Sequence, residues 1–311
     1  MSGSAGAADR RTQLGTLPTD EIATLLEAMD KGVPWRVALR DLPLPVAARK
    51  PDWFTNESKA AFYLELPTPG NELVVDVGAG AGVIAGALTR RFQRVVALDG
   101  DPTWCRFMRR RFAEDGVIVD VVEHSGFDLP LPATSADLIV LNGVLEWVAS
   151  DDDPIRRDSN PRDVQIEFLR SMLRVLRQRG RIAIAIENRF HFENFRGSRP
   201  HGEPAYAAIL PRRIGDRLSR ATLGVPYRTW IYGARGYERL LRSAGFADVQ
   251  VFAALPDYHQ PRAAVPLSDA AAIRARVGPR GGVKGRVFDV LARIGAIGHL
   301  VHSFYISAER R

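Results

Sequence analysis

The length, composition and charge of the chain are those of an ordinary globular protein that can bury a sizeable core, with 311 residues, 46% hydrophobic and 25% charged. Its single cysteine, Cys105, excludes an internal disulfide and a cysteine-rich metal site, and no apolar run is long enough for a membrane-spanning helix. The 39 arginines and four lysines outnumber the 36 acidic residues by seven, and the resulting net charge of +7 is too weak to require a polyanionic partner. We expect a cytoplasmic protein, at most peripheral to a membrane.

The N-terminal part precedes the main domain. Residues 1–15 contain no apolar signal core and predict a disordered leader. Residues 16–70 predict a helical extension, because apolar residues recur at helical spacing within 17–50 and a second short helix fits 59–66. Residues 71–311 then predict a single domain.

Short apolar runs alternate with helical segments from residue 71 onward. The predicted strands are 73–78, 94–99, 117–123, 136–142 and 181–186. The predicted helices are 83–92, 101–112 and one that begins at Asn160, has Pro161 in its first turn and ends at Gly180. This alternation indicates parallel βαβ units and therefore an α/β, doubly wound sheet.

The alternation stops after the fifth strand. Residues 189–233 show no clean period and predict an insertion on the substrate side. A helix at 234–243, a strand at 248–253, a helical region at 267–300 interrupted at 278–285, and a last strand at 303–308 follow. The helix at 287–301 is expected to face the core, and resting on a membrane is the lesser alternative.

The strongest local signal is a glycine-rich loop between the first strand and its helix, with the residues Asp76, Gly78, Ala79, Gly80 and Gly82. Glycines there let the backbone turn sharply and approach a ligand at the positive end of the helix. Asp99, followed by Gly100, ends the second strand, where a carboxylate can accept both hydroxyl protons of a ribose. Together these residues predict a nucleoside-cofactor pocket at the carboxyl edge of the sheet.

Two cofactors fit this loop. Gly80-x-Gly82-x-x-Ala85 satisfies the relaxed fingerprint of a dinucleotide such as NAD. Gly78-x-Gly80-x-Gly82, with Asp76 two residues earlier to meet an ammonium group, suits S-adenosylmethionine instead. A glycine-rich turn that binds nothing is the third interpretation.

The later motifs favour the second cofactor. One is the segment 125–148, which begins Ser-Gly-Phe-Asp-Leu-Pro-Leu-Pro. The other is the later order of a helix, Ala244-Gly-Phe246 and a strand. With these motifs, the chain from about residue 71 to the C-terminus resembles the class I S-adenosylmethionine-dependent methyltransferases. The resemblance implies a Rossmann-like seven-stranded sheet, with the last strand antiparallel and inserted beside the sixth.

The same resemblance implies roles for the matched residues. Gly78, Gly80 and Gly82 would pack on the cofactor and Asp99 would hold the ribose, with Ala79 and Gly100 completing that side of the pocket. Ser125, Gly126 and Phe127 would meet the adenine, and Asn142 and Gly143 would face the methionine part. Many relatives carry an acidic residue where Ser125 stands.

Three short strings resemble a narrower group. They are Asn142-Gly-Val-Leu-Glu-Trp147, Ala185-Ile-Glu-Asn-Arg-Phe190 and Leu255-Pro-Asp-Tyr258, and they are similar to methyltransferases found alongside bacterial cell-surface polysaccharide and glycosyl-transfer functions. This resemblance implies O-methylation of a saccharide, a glycoside or a related small hydroxylated molecule.

Catalytic candidates follow the fourth and fifth strands. Glu146 is expected to orient the acceptor or act as base, with a helix cap as the alternative, and Glu187 and Asn188 follow strand five. His191 suits a general base because its unperturbed pKa lies near neutrality, the alternative being an exposed loop histidine. His201 is expected to be an ordinary loop residue. No pair shows metal-ligand spacing on a helix, so no metal is predicted.

Positive charge is concentrated in the insertion. Residues 189–239 contain ten arginines and four acids, a net of +6, which suits an anionic acceptor such as a phosphorylated sugar or, alternatively, a solvated basic surface. An RNA or DNA methyltransferase and a non-catalytic cofactor-binding scaffold are the other functions considered. Nucleic acid is disfavoured because no separate RNA-binding module is present. The acceptor, the methylated atom and the oligomeric state stay open.

Overall fold

The computed structural model describes residues 19–45, 47, 50–150, 159–279 and 281–311, so the predicted leader at 1–15 lies outside the described residues. The chain first forms short helices: α1 (Thr19–Asp30), α2 (Trp35–Asp41), α3 (Asp52–Thr55), a 3-10 turn (Glu57–Ala60) and α4 (Ala61–Glu65). The helices predicted here are present, but the segment 17–50 is divided. Gly32, at a φ of +85°, and Pro34, which precedes α2, end one helix and begin the next.

The remaining described chain alternates strands and helices. The strands are β1 (Leu73–Val77), β2 (Arg94–Asp99), β3 (Asp120–Glu123), β4 (Ala136–Asn142), β5 (Leu176–Glu187), β6 (Ala247–Leu255), β7 (Ala263–Pro266) and β8 (Ser303–Glu309). The helices are α5 (Val83–Leu88), α6 (Pro102–Asp115), α7 (Pro161–Val175), α8 (Arg212–Leu223), α9 (Ala234–Ala244), α10 (Ala270–Arg274) and α11 (Gly282–Arg293). The α/β class predicted from the sequence is confirmed.

The strands form one mixed sheet in the order β3-β2-β1-β4-β5-β8-β6-β7. The first five strands in this order are parallel, and β8 pairs antiparallel with both β5 and β6, as predicted for the last strand. The predicted total of seven strands is wrong. The additional strand is β7, a four-residue edge strand antiparallel to β6, and it is too short to stand out as a separate apolar run.

The boundary between α7 and β5 also differs from the prediction. The helix ends at Val175, and Leu176 already has extended backbone and begins β5, so Gly180 does not end the helix. A Cβ on Gly180 would lie 2.9 Å from the carbonyl oxygens of Ala136 and Arg177. The glycine therefore marks a close backbone approach inside the strand, beside the register shift between β4 and β5.

The two faces of the sheet bury alternate residues of the central strands. Val75, Ile139 and Ile184 belong to one buried apolar cluster, while Val74 and Val140 belong to the cluster on the opposite face. A third cluster joins the N-terminal helices to α6 through aromatic contacts among Trp35, Phe54, Trp104 and Phe107. The helical extension thus packs directly beside the glycine loop.

The region 189–233 contains a helix that its sequence pattern did not reveal. The residues that α8 buries are Gly215 and Ser219, while Ile214 and Leu223 are exposed, so no apolar stripe marks the helix. Arg212 at its start lies over the rings of Tyr227, Trp230 and Tyr232. These aromatic side chains pack the region itself.

The sequence analysis expects the helix at 287–301 to face the core, but the valines of α11 are exposed. Val287, Val290 and Ile294 are exposed by half or more, and Val283 is 73% exposed. Phe288, Leu291 and Ala292 are the apolar side chains of this helix that pack against the core. In the described part of the chain, no helix has the length and hydrophobicity needed to cross a membrane.

Candidate active site

A cavity of about 440 Å³ lies at the carboxyl ends of β1, β4 and β5. Its walls come from the glycine loop, from the ends of these strands, from the region after β5 and from the N-terminal extension. The residues that line it include Lys50, Trp53, Lys59, Asp76, Gly78, Ala79, Gly80, Ala81, Trp104, Asn142, Gly143, Trp147, Glu187, His201, Tyr258 and His259. Parallel strands place their carboxyl ends at one edge of a sheet, which is where α/β proteins bind ligands.

The three glycines of the loop have left-handed backbone but different surroundings. A Cβ on Gly78 would lie 2.6 Å from Val144, and one on Gly82 would lie 2.6 Å from the ring of Phe112. Nothing lies within 4 Å of the corresponding position on Gly80, so a ligand can approach the backbone there. Gly82 is not among the residues that line the cavity, and it lies against Phe112 and Met108 of α6.

Asp99 shapes the glycine loop from the end of β2. Its carboxylate accepts the backbone N–H of Gly80 at 2.8 Å and that of Asp101 at 3.0 Å. Burial raises the pKa of this carboxyl. Asp99 is adjacent to the cavity through Gly80 but is not one of its lining residues, and Gly100 packs against Ser125.

Asp76 is a buried carboxylate with a free oxygen in the wall of the cavity. It is 2% exposed, and its Oδ2 has no hydrogen-bond partner. Burial raises its pKa to about 7. A carboxylate in this situation fits a ligand that carries a positive charge, because the ligand would satisfy the oxygen and stabilise its ionised form.

The turn that the resemblance assigns to the adenine lies outside the lining of this cavity. Ser125 and Gly126 are exposed, and Phe127 packs its ring at 5.0 Å from that of Phe168 in the core. The aromatic residues that do line the cavity beside the glycine loop are Trp53 and Trp104. The sequence had singled out neither tryptophan.

Asn142 and Gly143, at the end of β4, line the cavity. The phenol of Tyr63 donates a hydrogen bond of 2.8 Å to Oδ1 of Asn142. Gly143 has a φ of +69°, and a Cβ there would lie 2.9 Å from the hydroxyl of Tyr258. Side chains from both ends of the chain therefore close around this strand end.

Two glutamates and a histidine form a compact cluster, of which Glu187 and His201 line the cavity and Glu146 does not. Glu146, in the turns after β4, is fully buried, and Glu187 is the last residue of β5. His201 Nε2 lies 3.5 Å from Oε2 of Glu187 and 3.9 Å from Oε1 of Glu146. Tyr258 donates a 2.8 Å hydrogen bond to Oε1 of Glu187.

The two carboxyl groups have opposite protonation preferences. Burial and the neighbouring charge of Glu187 raise the pKa of Glu146 well above its ordinary value. Burial also acts to raise the pKa of Glu187, but His201, His259 and the hydrogen bond from Tyr258 outweigh it and lower that pKa. Glu146 is therefore the protonated partner and Glu187 the ionised one, an arrangement suited to acid–base chemistry.

His201, which the sequence analysis treats as an ordinary loop residue, lies beside Glu187 and lines the cavity, whereas the candidate base His191 does not. His191 is absent from the cavity lining and lies against His302, with ring centroids 4.5 Å apart, and burial together with His302 lowers its pKa to about 4. Asn188 is also structural, because its amide bonds the carbonyls of His299 and Val301. Local sequence carries no signal that distinguishes His201, since tertiary folding brings it to Glu187.

The N-terminal extension contributes the cationic side chains of the cavity. Lys59 is 7% exposed, and burial lowers its pKa to about 8 against the opposing charges of Asp52 and Asp257. Lys50 lies 4.4 Å from the ring centre of Trp53. No arginine is among the lining residues of this cavity in the described chain.

Comparison with known proteins agrees with this geometry. Residues 75–184 match a family model described as a methyltransferase domain, and the matched segment contains Gly78, Gly80, Asp99 and Glu146. This match supports an enzyme that transfers a methyl group from S-adenosylmethionine. No curated protein matches the chain.

Several solved structures are similar at low identity. An S-adenosylmethionine-dependent methyltransferase from Thermotoga maritima shares 16% identity at a TM-score of 0.45, over 84% of this chain and 91% of that one. The geranyl diphosphate C-methyltransferase of Streptomyces coelicolor A3(2) shares 16% sequence identity at a TM-score of 0.47, over 90% of this chain and 85% of that one. An S-adenosylmethionine-dependent methyltransferase from Archaeoglobus fulgidus shares 13% sequence identity at a TM-score of 0.47, over 82% of this chain and 92% of that one.

Proposed function

We propose that the protein methylates a hydroxyl oxygen of a saccharide, a glycoside or a related small hydroxylated molecule. The observation that carries the proposal is that Glu187 and His201 open onto the same cavity as Asp76 and Gly80. A hydroxyl group must give up its proton when it is methylated, whereas a neutral amine needs much less help. An ionised buried carboxylate beside a methyl donor supplies that function.

The cofactor is proposed to lie between the glycine loop and the N-terminal extension. Asp76 would pair with the ammonium group of the methionine part and Lys59 with its carboxylate, since both are buried side chains in the wall of the cavity. The backbone at Gly80 would approach the nucleoside, with Asp99 holding the ribose. When bound, S-adenosylmethionine supplies an electrophilic methyl group on a sulfonium sulfur.

The acceptor is proposed to lie between Glu187 and Trp147. Glu187 would take the hydroxyl proton, while Tyr258 and His201 hold its carboxylate in place. The protonated Glu146 would remain beside it as a neutral acid. Trp147, whose ring meets that of His201 edge-on at 4.8 Å, offers a flat apolar face of the kind that packs on sugar rings. Close and in-line positioning supplies much of the rate in such a transfer.

The insertion's arginines give little support to a nucleic-acid substrate. Arg189 donates to the carbonyl of Leu210, Arg212 to the hydroxyl of Tyr227 and Arg228 to the carbonyl of Ala149. Arg196 and Arg220 pair with Glu193 and Asp216 on their own segments. These five arginines bond to groups of the protein itself, which weakens the argument that their charge serves an anionic acceptor.

The decisive experiment supplies S-adenosylmethionine with a labelled methyl group and a panel of glycosides, phosphorylated sugars and amines. We expect ether-linked methyl product from a hydroxylated acceptor, a loss of at least about a hundredfold in Glu187→Gln and unchanged affinity for S-adenosylhomocysteine. Glu193→Gln, an exposed glutamate of the same region, is the matched control and should keep full activity. Product methylated on nitrogen, or full activity in Glu187→Gln, would contradict the proposal.

A second measurement separates the enzyme from a scaffold and from a dinucleotide-binding protein. S-adenosylhomocysteine should raise the melting temperature and NAD should not, because a ligand that binds the folded state stabilises it. Asp99→Ala should lose this stabilisation. Binding without turnover on every acceptor in the panel, with no effect of Glu187→Gln, would support the scaffold.

A further inference from the structure

We propose that Glu146, Glu187 and His201 bind a divalent cation at the acceptor end of the cavity. One ligand atom from each residue lies within 4.8 Å of the other two. The three residues come from the turns after β4, the end of β5 and the 3-10 turn at Pro200–Gly202. Because the ligands are far apart in sequence, the absence of ligand spacing on a helix could not reveal this site.

Unsatisfied carboxylate oxygens point to the ligand. Glu146 is fully buried and neither of its oxygens has a hydrogen-bond partner, and Oε2 of Glu187 also has none. Two buried carboxylates at this distance cannot both be ionised without a nearby positive charge. A proton shared between the two carboxylates would neutralise only one of their negative charges. A divalent cation would balance both charges and engage all three free oxygens.

The distances suit a metal with small side-chain movements. Ligand atoms about 2.1 Å from an octahedral cation lie about 3 Å from their neighbours and about 4 Å from the opposite ligand. The contacts of His201 with Glu187 at 3.5 Å and with Glu146 at 3.9 Å fall in this range. Two carboxylates and one imidazole suit Mn²⁺ or Zn²⁺, and carboxylates also accept Mg²⁺.

Neighbouring groups support the orientation of the ligands. Tyr258 donates to Oε1 of Glu187 and thereby leaves Oε2 as the oxygen that faces His201. The ring of Trp147 meets the imidazole edge-on and restricts its rotation. Such contacts around metal ligands hold them in position for binding.

The cation would define the acceptor class, an extension that rests on the proposed hydroxyl methylation. Three protein ligands leave coordination positions open towards the cavity, and a vicinal diol can fill two of them. A cation held there would lower the pKa of a bound hydroxyl, and Oε1 of Glu187, the base of the proposed reaction, would take its proton. The oxygen lone pair then forms the O–CH₃ bond while the S–CH₃ bond breaks, and that electron pair stays on sulfur.

The test measures Mn²⁺ binding by the full chain after dialysis against a chelator, using the electron paramagnetic resonance signal of free Mn²⁺. We expect one Mn²⁺ per chain at submillimolar concentration, and affinity weakened at least about tenfold in Glu146→Gln and in His201→Gln. The His191→Gln variant changes a half-buried histidine outside the cavity and should bind Mn²⁺ as the wild type does. Affinity for S-adenosylhomocysteine, measured on every variant, reports whether each one is folded.

The outcomes are separable from those of the proposed function. The metal proposal is overturned if the wild type binds no stoichiometric Mn²⁺, or if both ligand variants bind it as tightly as the wild type while retaining the nucleoside. Either result would leave the shared proton as the state of the cluster and leave hydroxyl methylation standing. Loss of nucleoside binding in the wild type would instead count against the methyltransferase assignment alone.

Discussion

The phenol of Tyr63 donates a hydrogen bond of 2.8 Å to Oδ1 of Asn142, and this contact joins the N-terminal helices to the end of β4. Tyr63 is fully buried and Asn142 lines the cavity, so a residue of the extension positions a residue of the proposed cofactor site. The extension is consequently part of the site.

Replacing Tyr63 by phenylalanine should weaken both folding and cofactor binding. The variant leaves the amide oxygen of Asn142 without its donor, so we expect a loss of about 1 kcal/mol in the free energy of unfolding. Affinity for S-adenosylhomocysteine should fall because the amide is no longer held. Urea unfolding and calorimetry measure the two effects.

Tyr305→Phe is the matched control for that variant. The hydroxyl of Tyr305 is buried without a hydrogen-bond partner, and its ring stacks on Phe62 at 4.5 Å. Removing a hydroxyl that makes no hydrogen bond should leave stability unchanged or increase it. Equal losses in the two variants would mean that the Tyr63 contact has no special role.

Cofactor affinity should depend on pH through Asp76. The pKa of this carboxyl in the empty cavity is about 7, and a bound ammonium group favours its ionised form. Below pH 7 binding must therefore release a proton, so affinity for S-adenosylhomocysteine should rise with pH and level off above 7. Calorimetry at several pH values measures this, and Asp76→Asn should remove the slope.

5′-Methylthioadenosine is the ligand control for Asp76, because it lacks the amino-acid part. Its affinity should not change with pH in either protein. A pH slope of equal size for both ligands would place the titrating group elsewhere in the site.

The raised pKa of Asp76 also predicts how the stability of the protein depends on pH. Between about pH 4 and pH 7, Asp76 is ionised in the unfolded chain and protonated in the folded one, so unfolding releases a proton. The free energy of unfolding of the ligand-free protein should fall with rising pH across this window, relative to Asp76→Asn. Urea titrations of both proteins measure the difference, and parallel curves would refute the assignment.

Two glycines of the loop should respond differently to alanine. Gly82→Ala places a methyl group against Phe112 and Met108 at a positive φ, so we expect a loss of about 2–4 kcal/mol in stability. The methyl group of Gly80→Ala meets open space, and only the positive φ of this residue disfavours the substitution. We therefore expect a loss of about 1 kcal/mol in the free energy of unfolding, together with loss of nucleoside binding. Chemical denaturation and calorimetry distinguish the two, and a reversed order of stability would contradict the packing described.

Because one face of α11 is exposed, we expect polar substitutions there to be tolerated, although the sequence pattern predicts that this face is buried. Val287 is 52% exposed and Ile297 is 2% exposed. Val287→Ser should change the free energy of unfolding by less than about 0.5 kcal/mol, and Ile297→Ser should lower it by about 3 kcal/mol. Similar losses in both variants, measured by urea unfolding, would indicate that α11 is buried.

The parts of the fold that the sequence predicted are those with strong local patterns. β2 and β4 begin and end at the predicted residues, because continuous apolar runs in a buried parallel strand stop where the chain reaches the edge of the sheet. β7 and α8 were missed, since one is a four-residue edge strand and the other buries only small residues. The apolar spacing within 287–301 predicted a helix, but α11 begins earlier and ends at Arg293, and its valines are exposed rather than buried.

The glycine loop and Asp99 illustrate what the sequence alone determined about this protein. Their spacing between strands and a helix predicted a nucleoside pocket, because a turn of a few residues sets its own geometry whatever surrounds it. The meeting of Glu146, Glu187 and His201 was decided only by the tertiary structure. No local pattern encodes a contact between residues on separate segments, and here the folding of the region after β5 brings His201 to the two carboxylates.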